Sequence, residues 1–458
     1  MRKLTCTPHG IHSFEKCSSE RWRVFLIPAG NGTFMRFHLP HLPVFNSLIT
    51  TAPQTAFPLS SAPMLLVQDE PALDCVIASS IVEFEARDWD ALVSLDEPQL
   101  RWNFLRAVER SGLSDNAIYL AVRRSDPEFF ASQNTSALLG VAVIYRKDID
   151  LLTLASPKLT RLAAKIRQGP LQRLLIVRAL SCGPVINNCR SNFFIASDLS
   201  NNFSDRVVEV LLQQLKKIRG GGLEVLFEFR DETVTRCGKS FEQAGFIRGD
   251  SLPGTRLDIK WPDFDSYLAA MRKVYRRAVR DDFEAAQDLE IQIETNFSHL
   301  ANEACTLYQN TLERASVVME RLTPEFFQEL ATLEQSRLVT LREKSSGKLV
   351  GIEVLLLTPD GVQDLYTGVD YTLNKRYNLY FNLVYPAIAL ACENGWAAIS
   401  MGQTSYAFKS RLGVASYPLH IFVRHRNPII CGVLKLCRRL IFPATEVPTH
   451  HVFHDVDN

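Results

Sequence analysis

The stretch 375–418 limits the fold more than any other part of the chain. Leu379, Leu383, Val384, Ala387, Ile388 and Ala391 recur at helical spacing, which gives a helix with one buried face. Gly395 stands where such a helix needs a left-handed closing residue. A short apolar strand at 397–401 then ends on Gly402, and Gln403, Thr404, Ser405, Tyr406 and Lys409 follow. Polar groups gathered just past a strand end mark the edge where α/β folds hold ligands.

The same plan occurs earlier. A helix over 204–219 carries Val207, Val208, Leu211, Leu212 and Leu215 on one face and stops at Gly220-Gly221-Gly222. A strand at 223–229 and a helix closing on FEQAGF at Phe246 follow. This recurrence of order predicts two copies of one unit, and 458 residues are enough for more than one core. The reading divides the chain into an irregular or disordered extension (1–74), a first unit (75–260), a second unit (261–428) and a basic amphipathic helix with its tail (429–458). A strand near 255–259 is expected to close the first unit, and one at 419–424 the second. Single helices are expected over 89–111 and 264–289, and strands at 76–84, 337–342, 349–357 and 361–369. The fold class is α/β with mixed sheets. The extension has no apolar core with a small-residue cleavage site. It reads as a disordered tail, a transit segment or an overlong start.

Composition removes several classes of function. Lys plus Arg number 51 against 50 Asp plus Glu, so no global field draws nucleic acid. The cysteines form no CxxC pair, which fits buried thiols in a reducing compartment better than zinc or a disulfide framework. Only His299, His420 and His425 lie between His41 and His450, a poor supply for a histidine triad or metal site. No apolar run reaches the roughly 18 residues of a spanning helix.

In the second unit, YRRAVRDDFEAAQ, Tyr308-x-x-Thr311-x-x-Arg314, RLTPEFFQEL, LVGIEVLLL, DLYTGVD and LYFNLVYPAIALACENG occur in order before the Tyr406–Lys409–Leu412–Gly413 closure. This set resembles the GNAT acyltransferase fold. Two such units in tandem resemble the BioF-like acetyltransferase domain group and the Fem-type peptidoglycan aminoacyl ligases. The resemblance implies an N-acyltransferase that moves an acyl group from a thioester such as acyl-CoA to an amine. Its cleft would lie in the second unit, with the first a degenerate partner. It implies no permanently bound cofactor, no metal, a small-molecule or lipid-linked amine acceptor, and a cytoplasmic location extending at most to the inner membrane face. One departure keeps a second reading open. Acyl-CoA enzymes hold the pyrophosphate on a glycine-rich loop before the central helix, and residues 373–378 contain no glycine. An aminoacyl-tRNA-dependent, Fem-like ligase acting on a cell-wall or lipid-linked precursor is the alternative. A third reading is a non-catalytic scaffold that binds an anionic polymer or membrane.

Amine acylation needs a proton acceptor and polarisation of the carbonyl. Strand alternation places Asp364, Tyr366 and Gly368 on one face, which makes Asp364 and Tyr366 candidates for base and acid; packing of Tyr366 in the core competes. Glu353 is a carboxylate in an otherwise apolar strand, either turned to solvent or held for a purpose. Tyr406 and Lys409 stand three apart on a short helix and can share a cleft, with Lys409 binding a carboxylate or phosphate and Gln403 nearby. Arg276, Arg277 and Arg280 form a basic stripe with Arg272 and Lys273. They are either a phosphate cradle or a solvated face paired with Asp281, Asp282 and Glu284. Lys375 and Arg376 are further donor-binding candidates, and the resemblance adds Arg314 near the substrate. Residues 429–442 (IICGVLKLCRRLIF) read as a basic amphipathic helix, which either lies on an anionic membrane or docks on the protein's own core.

Overall fold

A computed structural model describes residues 72–114, 116–125, 138–150, 176–183, 186, 189–315, 320–443 and 445–454. In chain order the first unit contains β1 (Leu73–Ala78), α1 (Ala86–Leu92), α2 (Trp102–Arg110), β2 (Ile118–Arg124), β3 (Leu138–Asp150), β4 (Ile176–Cys182), β5 (Phe193–Ile195), α3 (Asn201–Lys217), β6 (Leu223–Phe229), α4 (Asp231–Gln243) and β7 (Ile247–Asp250). There follow β8 (Gly254–Asp258), α5 (Phe264–Ala270), α6 (Lys273–Ala285), β9 (Leu289–Glu294), α7 (Ala301–Leu312), α8 (Pro324–Ala331), β10 (Ser336–Glu343), β11 (Leu349–Thr358) and β12 (Gly361–Val369). The chain ends with α9 (Tyr371–Tyr377), α10 (Leu379–Glu393), β13 (Ala398–Ser400), α11 (Tyr406–Lys409), β14 (Ala415–Tyr417), β15 (His420–His425), α12 (Pro428–Leu436) and α13 (Arg438–Ile441).

The two sheets are copies of each other. One runs β1-β2-β3-β4-β6-β15-β7, the other β9-β10-β11-β12-β13-β8-β14. Every step matches in sense, including the single parallel step, β4 with β6 and β12 with β13. The match also reveals a strand exchange. β8, expected to close the first unit, pairs with β13 and β14 of the second sheet. β15, expected to close the second unit, lies between β6 and β7 of the first. Alternation along a strand specifies its two faces but not its neighbours, so the sequence pattern could not choose between the sheets.

The units also share a core. Trp89, Phe104 and Val141 of the first cluster with Phe326, Phe327, Ile352 and Tyr366 of the second, so α1, α2, α7 and α8 fill the space between the sheets. α3 and α4 cover the outer face of the first sheet, and α5, α6 and α10 that of the second.

Local boundaries differ from expectation where polar caps intervene. The helix expected over 89–111 is two, because the Asp90 carboxylate accepts the Trp102 amide at 2.8 Å and starts a new helix. That expected over 264–289 breaks at Met271, which turns extended and bridges Phe453. The first strand begins at Leu73, inside the expected extension, and ends at Ala78, where Ser80 and Glu83 form a reciprocal capping box.

Candidate active site

β12 and β13 pair only from Gly361–Ala398 to Gln363–Ser400 and then part. A cavity of about 540 Å³ opens at the split, with Tyr308, Asp364, Tyr366, Phe381, Gln403 and Lys409 among its lining. The first unit's own split is built differently. There the last pair is Cys182–Leu226, and a Cβ placed on the next residue, Gly183, would lie 2.4 Å from Phe227 Cβ. Counting from the last pairs, Gly183 stands where the second unit has Asp364, and Phe227 fills the gap.

A bulge decides which way the β12 side chains point. Leu355 pairs with Asp364 but Val354 pairs with Tyr366, so Leu365 is an extra residue. Asp364 therefore faces the side of Leu355, under α10, and Tyr366 faces the side of Val354, under α7. The alternation expected to put Asp364 and Tyr366 on one face fails at this residue. Both still reach the cavity, because it wraps the edge of β12 that β13 has left.

On the α10 side, Glu353 is completely buried and neither oxygen accepts a hydrogen bond. Burial, reinforced by the Asp364 carboxyl, drives its pKa well above the carboxylate range. Burial also raises Asp364. Charge on Asp364 thus opposes ionisation of Glu353. Lys409 is only 8% exposed. Burial lowers its pKa, while Asp364, Cys189 and Glu353 act to retain its charge. Its ammonium donates to the Gln403 carbonyl at 2.9 Å.

On the α7 side, the Tyr366 hydroxyl donates to Glu320 Oε1 at 2.5 Å. The Tyr308 hydroxyl donates to the Glu320 carbonyl at 3.1 Å, and the two tyrosine rings meet edge to face at 5.5 Å. Tyr366 is 9% exposed, packed in the core, and also lines the cavity.

The loop after β13 joins the units. Gly402, Thr404 and Ser405 have positive φ, a conformation a β-branched residue such as Thr404 rarely adopts. Gln403 Nε2 donates to Leu252 O at 2.6 Å and to Glu228 Oε2 at 2.8 Å. Glu228 comes from β6 of the first unit, is buried, and also accepts from Ser251 Oγ at 3.0 Å. Burial pushes its pKa up to about 7.

The other candidates lie away from the cavity. The Tyr406 hydroxyl donates to Pro253 O at 2.9 Å and pins β8 to α11. Arg272 caps α6 rather than joining its stripe. Arg276 donates to Ala269 O, Arg277 stands 3.9 Å from Asp281, and Arg280 is exposed. Arg376 meets Asp288 and Lys375 is exposed, on α9. None of these seven lines the cavity. Arg314 does not line it either and stacks over Tyr371 at 4.2 Å; the Tyr371 hydroxyl meets that of the cavity residue Tyr380 at 2.6 Å. Glu228 and Glu320 are the groups the sequence reading missed. Glu228 carried the signal that marked Glu353, a carboxylate inside an apolar strand (LEVLFEF). Glu320 carried none.

Residues 269–410 match the family model described as "Acetyltransferase (GNAT) domain". The match spans α6 to α11 and all of the cavity lining but Leu252, so this stretch is a GNAT domain and the protein a transferase. Similar solved structures include FemX (13% identity over 70% of this chain and 90% of that one, TM-score 0.44). A tandem GNAT protein from the clavulanic acid biosynthesis pathway gives 12%, 78%, 99% and 0.44 on the same measures. L-PGS from Bacillus licheniformis gives 12%, 74%, 93% and 0.40. Overlap this loose carries no argument. No curated protein matches the sequence.

Proposed function

We propose that the chain transfers an acyl group from a thioester such as acyl-CoA to an amine, in the cavity where β12 and β13 part. The observation that carries this reading is the position of the Asp364–Glu353 pair and Lys409 at that split, inside the matched domain. An ammonium acceptor must lose a proton before it attacks. Asp364 takes that proton at the cavity wall, and Glu353, completely buried behind it, exchanges none with solvent. The carbonyl oxygen is polarised by groups along the β12 edge that β13 has left. Lys409 holds the Gln403 loop and contributes positive charge near the developing anion. Tyr366 and Glu320 offer the leaving thiolate or the acceptor a proton path on the opposite face.

The donor has a second reading, supported by α9. Where acyl-CoA enzymes have a glycine-rich turn, residues 371–377 form a helix capped by Asp370. That favours a donor held by something other than a pyrophosphate loop, such as an aminoacyl-tRNA. The first unit then serves as support for the site, through Glu228 and Gln403. Contact with a membrane surface would rest on a different part of the molecule, α12 and α13.

The test is thermal shift with acetyl- and longer acyl-CoAs, with charged tRNA in parallel, followed by thiol release in the presence of amines. Stabilisation by one donor class is expected, and Asp364→Asn should lower turnover about a hundredfold or more, with the fold retained. Failure of both donors to bind, or full activity in Asp364→Asn, would overturn the assignment.

A further inference from the structure

The C-terminal helix pair presents its apolar ridge to solvent. On α12, Ile429, Val433 and Leu436 follow the i, i+4, i+7 spacing of one helical stripe, and they are 76%, 54% and 87% exposed. Leu440 on α13 is 61% exposed. The opposite side holds the helix to the protein. Leu434 is buried there with Phe442, and Cys431 and Ile441 pack on the same cluster with Val225 and Ile421. A helix docked by one face normally turns charged residues outward along the other. This one is apolar on both.

The helix pair itself carries charge of one sign. Lys435, Arg438 and Arg439 are exposed, and no acidic residue occurs from 426 to 445. Arg426, just before the pair, is ion-paired with the buried Glu224, and Glu242 and Asp250 line a pocket with Arg438 and Arg439 on the docked side. A chain-wide balance of 51 basic to 50 acidic residues makes this local excess a feature of the helix pair and not of the protein. Exposed aliphatic side chains flanked by the exposed cations of the helix pair match a surface that is apolar beneath and anionic on top, the interface of an acidic bilayer. A protein partner would need an apolar groove rimmed with carboxylates, and nothing among the described residues supplies one for a second copy: the large exposed aliphatics outside the helix pair, Ile77, Val82, Leu95, Ile176 and Val274, are dispersed over separate parts of the chain.

We propose that α12 and α13 form a peripheral membrane-binding device that inserts Ile429, Val433, Leu436 and Leu440 among the acyl chains of an anionic leaflet. Lys435, Arg438 and Arg439 lie at the phosphate level. The device is separate from the catalytic cavity, so it stands or falls independently of the acyl-transfer reading.

Sedimentation of the whole protein with phosphatidylcholine vesicles, and with the same vesicles containing phosphatidylglycerol, tests it. The protein should pellet with the anionic vesicles, remain in solution with the neutral ones, and be released by salt. Because the substituted side chains are exposed, Ile429→Glu/Leu436→Glu should leave the melting temperature unchanged and abolish binding. Replacing Lys435, Arg438 and Arg439 by Gln should weaken it on the order of a hundredfold. No binding to anionic vesicles, or binding unaffected by the Glu pair, overturns the proposal. So does a dimer that the Glu pair dissociates, which would make a second copy the occupant.

Discussion

At the position where the second unit has Gly402, with φ 69°, the first has Glu228 with φ 63°. A glutamate held in a conformation suited to glycine stores strain, and burial without a cation in contact adds to it. Its pKa of about 7 lies above the ordinary 4.5. Folding therefore favours the protonated form. The associated stability is complete below about pH 4.5 and is lost as pH rises through about 7. Glu228→Gln should remove this dependence and leave the protein on the order of 2 kcal/mol more stable than wild type at pH 8. Melting temperatures of both proteins across pH 5–8 would check it; parallel curves would show that Glu228 titrates normally. The same residue shows what single positions reveal in sequence. Glu353 was legible because a carboxylate inside LVGIEVLLL has no ordinary reason to be there. Glu228 carried an equal signal but lay in the first unit, away from the cavity of the second, and its role depends on Gln403, which reaches it from 175 residues further along the chain. Lys409 meets the Gln403 carbonyl, whereas Tyr406, expected in the same cleft from helical spacing alone, spends its hydroxyl on Pro253.

Among the elements, β12 governs the cavity, and its place is fixed by α7 crossing it. A Cβ on Gly368 would fall 2.5 Å from the Tyr308 nitrogen and 2.7 Å from the Leu307 carbonyl carbon. These are backbone atoms and cannot rotate away. Gly368→Ala should push α7 off the strand, cost about 1–3 kcal/mol, and displace Tyr308 from the cavity. Gly432→Ala in α12 is the control: a Cβ there meets nothing within 4 Å, and the helix should gain about 0.5–1 kcal/mol. Thermal unfolding of the two variants should move in opposite directions. Element order was readable from apolar periodicity and glycine stops. The bulge at Leu365 was not, because an added strand residue leaves the apolar pattern of DLYTGVD intact while reversing the side chains beyond it. The break at Met271 was hidden for a similar reason: its cause is Phe453, far along the chain.

For the whole molecule, the exchange of β8 and β15 makes the two units interdependent. β15 lies between β6 and β7, so a fragment ending at residue 260 would leave β7 without a neighbour and β6 with an open edge. β8 lies between β13 and β14, so a fragment beginning at 261 would strand β14 and open the strand that forms one wall of the cavity. The core between the sheets would be cut as well, since Trp89 and Phe104 pack in one cluster with Phe326 and Phe327. A repeat inferred from sequence suggests two domains that fold separately; the sheet order argues for one cooperative body. Calorimetry of the intact chain should therefore give a single transition with matching van't Hoff and calorimetric enthalpies. Fragments 72–260 and 261–458 expressed alone should be unfolded or aggregated. Mixed during refolding, they should recover the melting behaviour of the whole, because each carries the strand the other lacks. Two resolved transitions, or a stable 72–260 fragment, would show that the exchanged strands are decoration on independent units. In that case Glu228 could not be a fixed support for the Gln403 loop.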